Sequence, residues 1–358
     1  MKKIFCFIAL VYFVFSCSSK DEELIVSPMV QNQPFIKAAD VSFLPLIESD
    51  GTIYKKNGLA ENPLTTLKNA GCNTLRIRIW NNPTDGHSGF EEVKNFALRA
   101  KNAGFRVWLT VHYSDTWADP AHQSTPVAWQ NLSFTDLKTA AINYTSTILT
   151  EINPDIIQIG NEINNGLLWP HGHLISNENQ SLELIAAISS KIRSQTPKTK
   201  IMLHYAGIGN GAAWFFDKMR FVNYDYIGLS YYPIWHGKNL SDVTSSITSL
   251  GQAHNKKVLI AETAYPFTLN WNDWTNNIVG GTNQLISAYP ATEVGQKNFV
   301  LAVKNLVKQN SYGLGFCYWG GEWVAFRGTE ATNGSSWENQ ALWDFSNNVL
   351  PVVDAFNN

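Results

Sequence analysis

A single (β/α)8 barrel of the α/β class is the fold this sequence predicts, and three observations predict it. From residue 35 onward, eight short apolar runs alternate with amphipathic stretches. Strands that alternate with helices pair in parallel, and eight units suit a closed barrel better than an open sheet. No glycine-rich phosphate loop follows the first run, as a doubly wound nucleotide-binding sheet would need. The length of 358 residues fits one large barrel or two ordinary domains, so the alternation decides.

Taken in order, residues 1–17 read as a lipoprotein signal peptide. Met1-Lys2-Lys3 is basic, residues 4–15 are apolar and too short to span a bilayer, and Val14-Phe15-Ser16-Cys17 resembles a lipobox. Cys17 is the expected lipidation site, with an ordinary signal peptide cut elsewhere as the alternative. Residues 18–34 read as a polar tether. Within it Lys20-Asp21-Glu22-Glu23 resembles the acidic export tag of Bacteroidetes surface lipoproteins. The expected location is therefore the cell surface, on an outer membrane reached through a lipid anchor.

The barrel domain is expected over 35–358. Its strand-like runs are 36–43, 74–80, 106–113, 156–162, 200–206, 226–232, 258–265 and 314–319. The helical patterns between them are 63–70, 90–103, 134–151, 181–195, 211–222, 240–255 and 293–309, with 342–356 as the eighth. Asn62-Pro63 predicts an N-cap followed by proline at the first helical position. Ala70-Gly71 and Ala103-Gly104 predict helix ends, and Ser133 with Asp136 predicts a helix start. Long stretches after runs three, four, seven and eight are expected to build a cleft.

A net charge of -2 from 27 basic and 29 acidic residues gives no reason to expect a nucleic-acid partner. Cys72 and Cys317 lie in apolar runs and read as buried free thiols. A monomer is expected.

The chemistry gathers at run ends. Glu162 closes Ile156-Ile157-Gln158-Ile159-Gly160-Asn161-Glu162, and Glu262 closes Lys257-Val258-Leu259-Ile260-Ala261-Glu262. A lone strand-end glutamate usually makes a salt bridge. Two, on strands four and seven of eight, face each other across a barrel mouth and suit cleavage of a glycosidic bond. Glu162 is the expected acid/base and Glu262 the nucleophile, with Asn161 on the sugar's 2-hydroxyl. Arg76 and Arg78 share one strand face by period-two spacing. Arg78 is the expected partner of Glu262, and Tyr231 an expected hydrogen-bond donor to it. Trp319 is the expected floor beneath the sugar, and Trp80, Trp117, Trp235 and Trp323 are stacking candidates. His112 and Asp115 complete the substrate-binding set. His171 and His173 are spaced like metal ligands but lack a supporting cluster, so no metal is expected.

These residues resemble glycoside hydrolase family 53, the arabinogalactan endo-β-1,4-galactanases. The similar motifs are Ala39-Asp40-Val41-Ser42, Arg76-Ile77-Arg78-Ile79-Trp80, and the stretch from His112-Tyr113-Ser114-Asp115 to Trp117-Ala118-Asp119-Pro120. They continue through Gln158-Ile159-Gly160-Asn161-Glu162, Ser230-Tyr231-Tyr232-Pro233, Glu262-Thr263-Ala264-Tyr265-Pro266 and Trp337-Glu338-Asn339-Gln340. The resemblance implies the same two glutamates, retention of configuration, and internal cleavage of β-1,4-galactan in pectin side chains. It departs at Thr110-Val111 and at Trp319-Gly320-Gly321-Glu322-Trp323, which bears on outer sugar sites. Some bacterial members carry a calcium loop after strand seven. Here Asn270-Trp271-Asn272-Asp273-Trp274-Thr275-Asn276-Asn277 offers one carboxylate and no histidine, so no such site and no cofactor is expected. Trp271 and Trp274 are candidates for contact with the polymer instead. The competing readings are a barrel hydrolase acting on mannan or glucan, and a non-catalytic glycan-binding lipoprotein.

Overall fold

Strands that alternate with helices have both faces covered, and this chain supplies enough of them to close the sheet on itself. The computed structural model describes Met1 and residues 33–358, so Cys17, the lipobox and the acidic stretch lie outside the described residues. The barrel strands are β1 (Ile36–Asp40), β2 (Thr74–Ile79), β3 (Arg106–Val111), β4 (Ile156–Ile159), β5 (Lys200–Ala206), β6 (Tyr226–Ser230), β7 (Lys257–Thr263) and β8 (Gly313–Tyr318). Each pairs in parallel with its sequence neighbours, and β1 closes the ring against β8. The eight expected runs are the eight barrel strands. The first stops at Asp40 because a short helix, Leu44–Ser49, begins almost at once.

Alternation sorts the side chains. Trp108, Met202, Tyr226, Leu259 and Cys317 fill the barrel interior. Ile77, Leu109, Ile157, Leu203 and Ile260 point outward into a larger core shared with the helices. Cys72 and Cys317 are buried and free. The expected helix signals hold. Asn62 caps Pro63–Asn69 by accepting from the amide of Leu64, and Ser133 caps Phe134–Glu151 by accepting from that of Asp136.

One element departs from expectation. The stretch 342–356 forms no full helix, only a 3-10 segment at Pro351–Phe356 packed on the helix Glu293–Gln309. Asn347 turns into the left-handed region at φ 61°, and Pro351 cannot occupy a helix interior, so the amphipathic spacing is overruled locally. The loops after β3, β4, β7 and β8 are long, as expected, and they wall the C-terminal mouth of the barrel. Among the described residues no helix is long and apolar enough to cross a membrane.

Candidate active site

β4 ends with a sharp change of backbone direction. Gly160 adopts φ 72° and Glu162 φ 48°. A Cβ at Gly160 would approach Ile163 Cγ2 to 2.3 Å, so glycine is required by space as well as by φ. A non-glycine residue at positive φ is uncommon, and here the turn lets two consecutive side chains, Asn161 and Glu162, line the same cleft. Glu162 Oε1 accepts a 2.6 Å hydrogen bond from Ser230 Oγ. His204 stands behind that hydroxyl. Its Nδ1 accepts from Gln158 Nε2 at 3.0 Å and from the Glu162 amide at 3.3 Å. The ring proton is therefore on Nε2, which donates to Ser230 Oγ at 2.9 Å.

β7 reaches the same cleft by a bulge. Strict alternation would put Glu262 on the outward face with Val258 and Ile260. Instead Leu229 pairs with Ile260 and Ser230 with Glu262, so Ala261 is an extra residue and Glu262 turns inward. Glu262 is buried. Its Oε1 is bridged by Arg76 Nη2 at 2.8 Å, and its Oε2 accepts from Tyr232 Oη at 3.0 Å.

Two expected contacts are therefore corrected. Arg76, not Arg78, holds Glu262. Arg76 lies deeper on β2, and its guanidinium also takes Asp40 Oδ2 at 2.8 Å and Asn161 Oδ1 at 2.9 Å. Arg78, one pleat nearer the mouth, donates to Ser88 Oγ and His87 Nε2, each at 3.0 Å. Its guanidinium lies 4.2–4.5 Å from the ring centres of Trp117, Phe43 and Trp80. Tyr231 likewise gives way to Tyr232. Ser230 and Tyr232 share the inward parity of Tyr226, while Tyr231 faces out, donates to Gly237 O at 2.9 Å and packs beside Phe299.

Charge follows this geometry. Burial, then the charge of Glu262, pushes the Glu162 carboxyl up to about 8 against the opposing pull of Ser230 and Arg76. Burial also raises Glu262, but Arg76 and the Tyr232 hydroxyl favour its ionised form. The proton of the pair thus rests on Glu162. Burial works against the charge on Arg76, and Glu262 and Asp40 outweigh it. Burial, followed by Arg78 and Arg76, holds His112 well below its usual range. His112 Nδ1 accepts from the Ala118 amide at 3.1 Å, which leaves the neutral ring a donor at Nε2.

The cleft measures about 300 Å³. Of the expected binding residues, Arg78, His112, Trp117, Asn161 and Trp319 line it, as do the stacking candidates Trp235 and Trp323. Trp80 stands behind this wall under Arg78, edge-on to Trp117. Asp115 braces loops instead, accepting from the amides of Asn82 at 3.0 Å and Val127 at 2.8 Å. Trp271 and Trp274 are exposed and absent from the cleft wall.

Glycosyl hydrolase family 53 is the family whose model matches residues 36–356. The chain belongs to this family. It is 34% identical to an arabinogalactan endo-beta-1,4-galactanase of Cellvibrio japonicus, covering 90% of this chain and 91% of that one. It is 31% identical to an endo-beta-1,4-galactanase of Bacillus subtilis, covering 94% and 88%. Among solved structures, the GH53 catalytic domain of Ignisphaera aggregans superposes with a TM-score of 0.86 at 37% identity, covering 92% of this chain and 97% of that one.

Family membership makes this chain a cofactor-independent glycoside hydrolase. Its two glutamates bring one carboxylate oxygen each within 4.8 Å of the other and of a His204 nitrogen. Both His204 nitrogens are engaged, Nδ1 with Gln158 and the Glu162 amide and Nε2 with Ser230. His171 and His173 are not brought together, since His171 lies against Phe134 and His173 against Trp169. In the loop after β7, Asp273 is joined by Glu338 from the loop after β8, a carboxylate that the loop's own spelling does not show. Burial and then the charge of Asp273 push Glu338 up to about 7.

Sequence reasoning missed the roles of Asp40, His204, Ser230 and Tyr232, and the places of Asp119 and Trp337 in the cleft wall. For Ser230 and Tyr232 the signal was present, because both fall on the inward parity of β6. For His204 it lay in a histidine among Ile201, Met202 and Leu203.

Proposed function

We propose that this protein is a retaining endo-β-1,4-galactanase acting on the galactan side chains of pectin, held at the cell surface by a lipid on Cys17. The observation that carries the catalytic reading is the asymmetry of the pair: Glu262 is held for attack by Arg76 at 2.8 Å and Tyr232 at 3.0 Å, whereas Glu162, raised in pKa by burial and by Glu262, accepts from the Ser230 hydroxyl. Glu262 attacks the anomeric carbon as Glu162 passes its proton to the glycosidic oxygen, and the leaving chain departs. Water then enters; Glu162 takes its proton, the oxygen attacks the same carbon, and the bond to Glu262 breaks. Two inversions leave the β configuration unchanged. An oxygen-to-oxygen approach within 4.8 Å supports this route, since an inverting pair stands about 6.5–9.5 Å apart to admit water.

The substrate reading is supported by the galactanase names of relatives at 31–34% identity. The tether rests on the lipobox and the acidic stretch after it. NMR of early products from linear galactan tests the mechanism: the β-anomer should appear first, and early α-anomer would overturn it. A panel of galactan, mannan and glucan tests the substrate. Cys17→Ala should release the protein from membranes, and unchanged fractionation would remove the anchor.

A further inference from the structure

A second cavity of about 500 Å³ lies beside the cleft, between the loops after β3 and β4. That size is within the roughly 300–1,000 Å³ of small-molecule sites. Its lining contains Trp169, Gln130, Ser124, His122 and His171, with Gln123 beneath, and no Asp, Glu, Lys or Arg. An indole with amide, hydroxyl and imidazole groups around it is the chemistry that receives a sugar.

The cavity is built before any ligand arrives. The amide of Trp169 donates to Gln123 O at 2.8 Å, and Thr125 Oγ1 donates to Trp169 O at 2.7 Å. The indole is fixed in turn by its Nε1 donating to Asn165 O at 3.0 Å and by the His173 ring 4.6 Å away.

Its position relative to the chemistry is also set. One turn of chain separates the two spaces: Asp119 lines the cleft, while Ala121 and His122 line the cavity. Asp119 holds that turn by accepting from the Ala121 amide at 2.7 Å and pairing with His122 Nδ1 at 3.0 Å. Gln123 Nε2 donates to the carbonyl of Asn161 at 2.7 Å, tying the cavity floor to the residue before Glu162. A general acid stands on the leaving-group side of the scissile bond.

We propose that this cavity holds a galactosyl unit of the leaving-group half of the polymer, beyond the unit next to the cleaved bond. The assignment rests on the galactanase reading and adds to it the direction in which the chain crosses the barrel mouth. The test compares kcat/KM on linear galactan with kcat/KM on an aryl β-galactobioside, whose phenol is too small to reach the cavity. Trp169→Ala should lower the polymer-to-aryl ratio about tenfold, the loss expected for truncating an aromatic anchor. Gln130→Ala and His171→Ala, at the rim, should lower it by smaller factors and serve if Trp169→Ala does not fold. An unchanged ratio in the folded variants would overturn the site. So would a crystal of Glu162→Gln with a galacto-oligosaccharide whose leaving half runs elsewhere. If the wild type instead prefers another glycan, the substrate reading fails, and the same ratio on that glycan decides the site.

Discussion

The ends of β4 and β7 carry the same residue type and treat it in opposite ways. At β4 the backbone leaves the sheet through two positive φ angles, and Glu162 stands partly open to the cleft with one hydroxyl on it. At β7 the strand stays in the sheet and bulges, and Glu262 is buried against a guanidinium and a phenol. In the proposed mechanism the residue that loses a proton, admits water and regains the proton needs an open, weakly held carboxyl. A residue that must attack as an anion needs a fixed one.

Substitutions of the two glutamates should have the largest effects. Glu262→Gln should remove turnover on galactan and aryl substrates alike. Glu162→Gln should lower galactan turnover by about 10²–10⁴-fold, the usual contribution of a general acid. Part of it should return on an aryl galactobioside with a good leaving group, which needs little protonation. Steady-state kinetics on both substrates checks the pair, and equal losses on both for Glu162→Gln would contradict its role.

Arg76 comes next. Arg76→Met strips the partner from two buried carboxylates, Glu262 and Asp40, and removal of one member of a buried pair costs about 3–5 kcal/mol. Denaturant unfolding should show that loss. Arg78→Met, with no carboxylate at bridging distance among the described residues, should cost less stability.

The pH dependence sharpens the contrast further. In the proposed mechanism Glu162 must be protonated to act, so kcat/KM on galactan should fall as pH rises through about 8. Ser230→Ala removes the hydrogen bond that favours ionised Glu162, and should move this limb to higher pH. Stability should follow the same sign. Glu322, buried under the first strand loop, is also pushed up to about 8 by burial and then by Asp40. A carboxyl raised on folding favours the protonated, low-pH side, so stability should decline between about 4.5 and 8 as the unfolded chain sheds the proton first. Glu322→Gln keeps the acceptor for the Phe43 amide and should flatten that decline in melting temperature, which a thermal series across pH would show.

The smallest expected effect separates neighbours on β6. Tyr232→Phe should reduce kcat by loosening Glu262. Tyr231→Phe should leave kcat near wild type and cost about 1 kcal/mol of stability for its bond to Gly237 O. The reverse ranking would reinstate Tyr231 as the partner.

The barrel, its strand order and the two glutamates were legible because they depend on local patterns: short apolar runs, capping residues, Gly-ended helices and a carboxylate at a run end. Asp115 and Trp80 misled because a polar or aromatic residue near a strand end reads the same whether it faces substrate or braces the loop behind. Asp115 holds two backbone amides, and nothing in its spelling distinguishes that use.

Local sequence alone carries the alternation that builds eight parallel strands and the placing of Glu162 and Glu262 at the ends of the fourth and seventh. Which arginine meets Glu262 depends on the closed ring. Tyr231 and Tyr232 are separated by the face parity of β6, but Arg76 and Arg78 share a face, so choosing between them requires knowing how far along its strand each sits opposite Glu262. That register is fixed between strands nearly two hundred residues apart in sequence for β2 and β7, and a single extra residue at Ala261 resets it. Periodicity is local and can be read in a window, whereas register is a property of the closed ring.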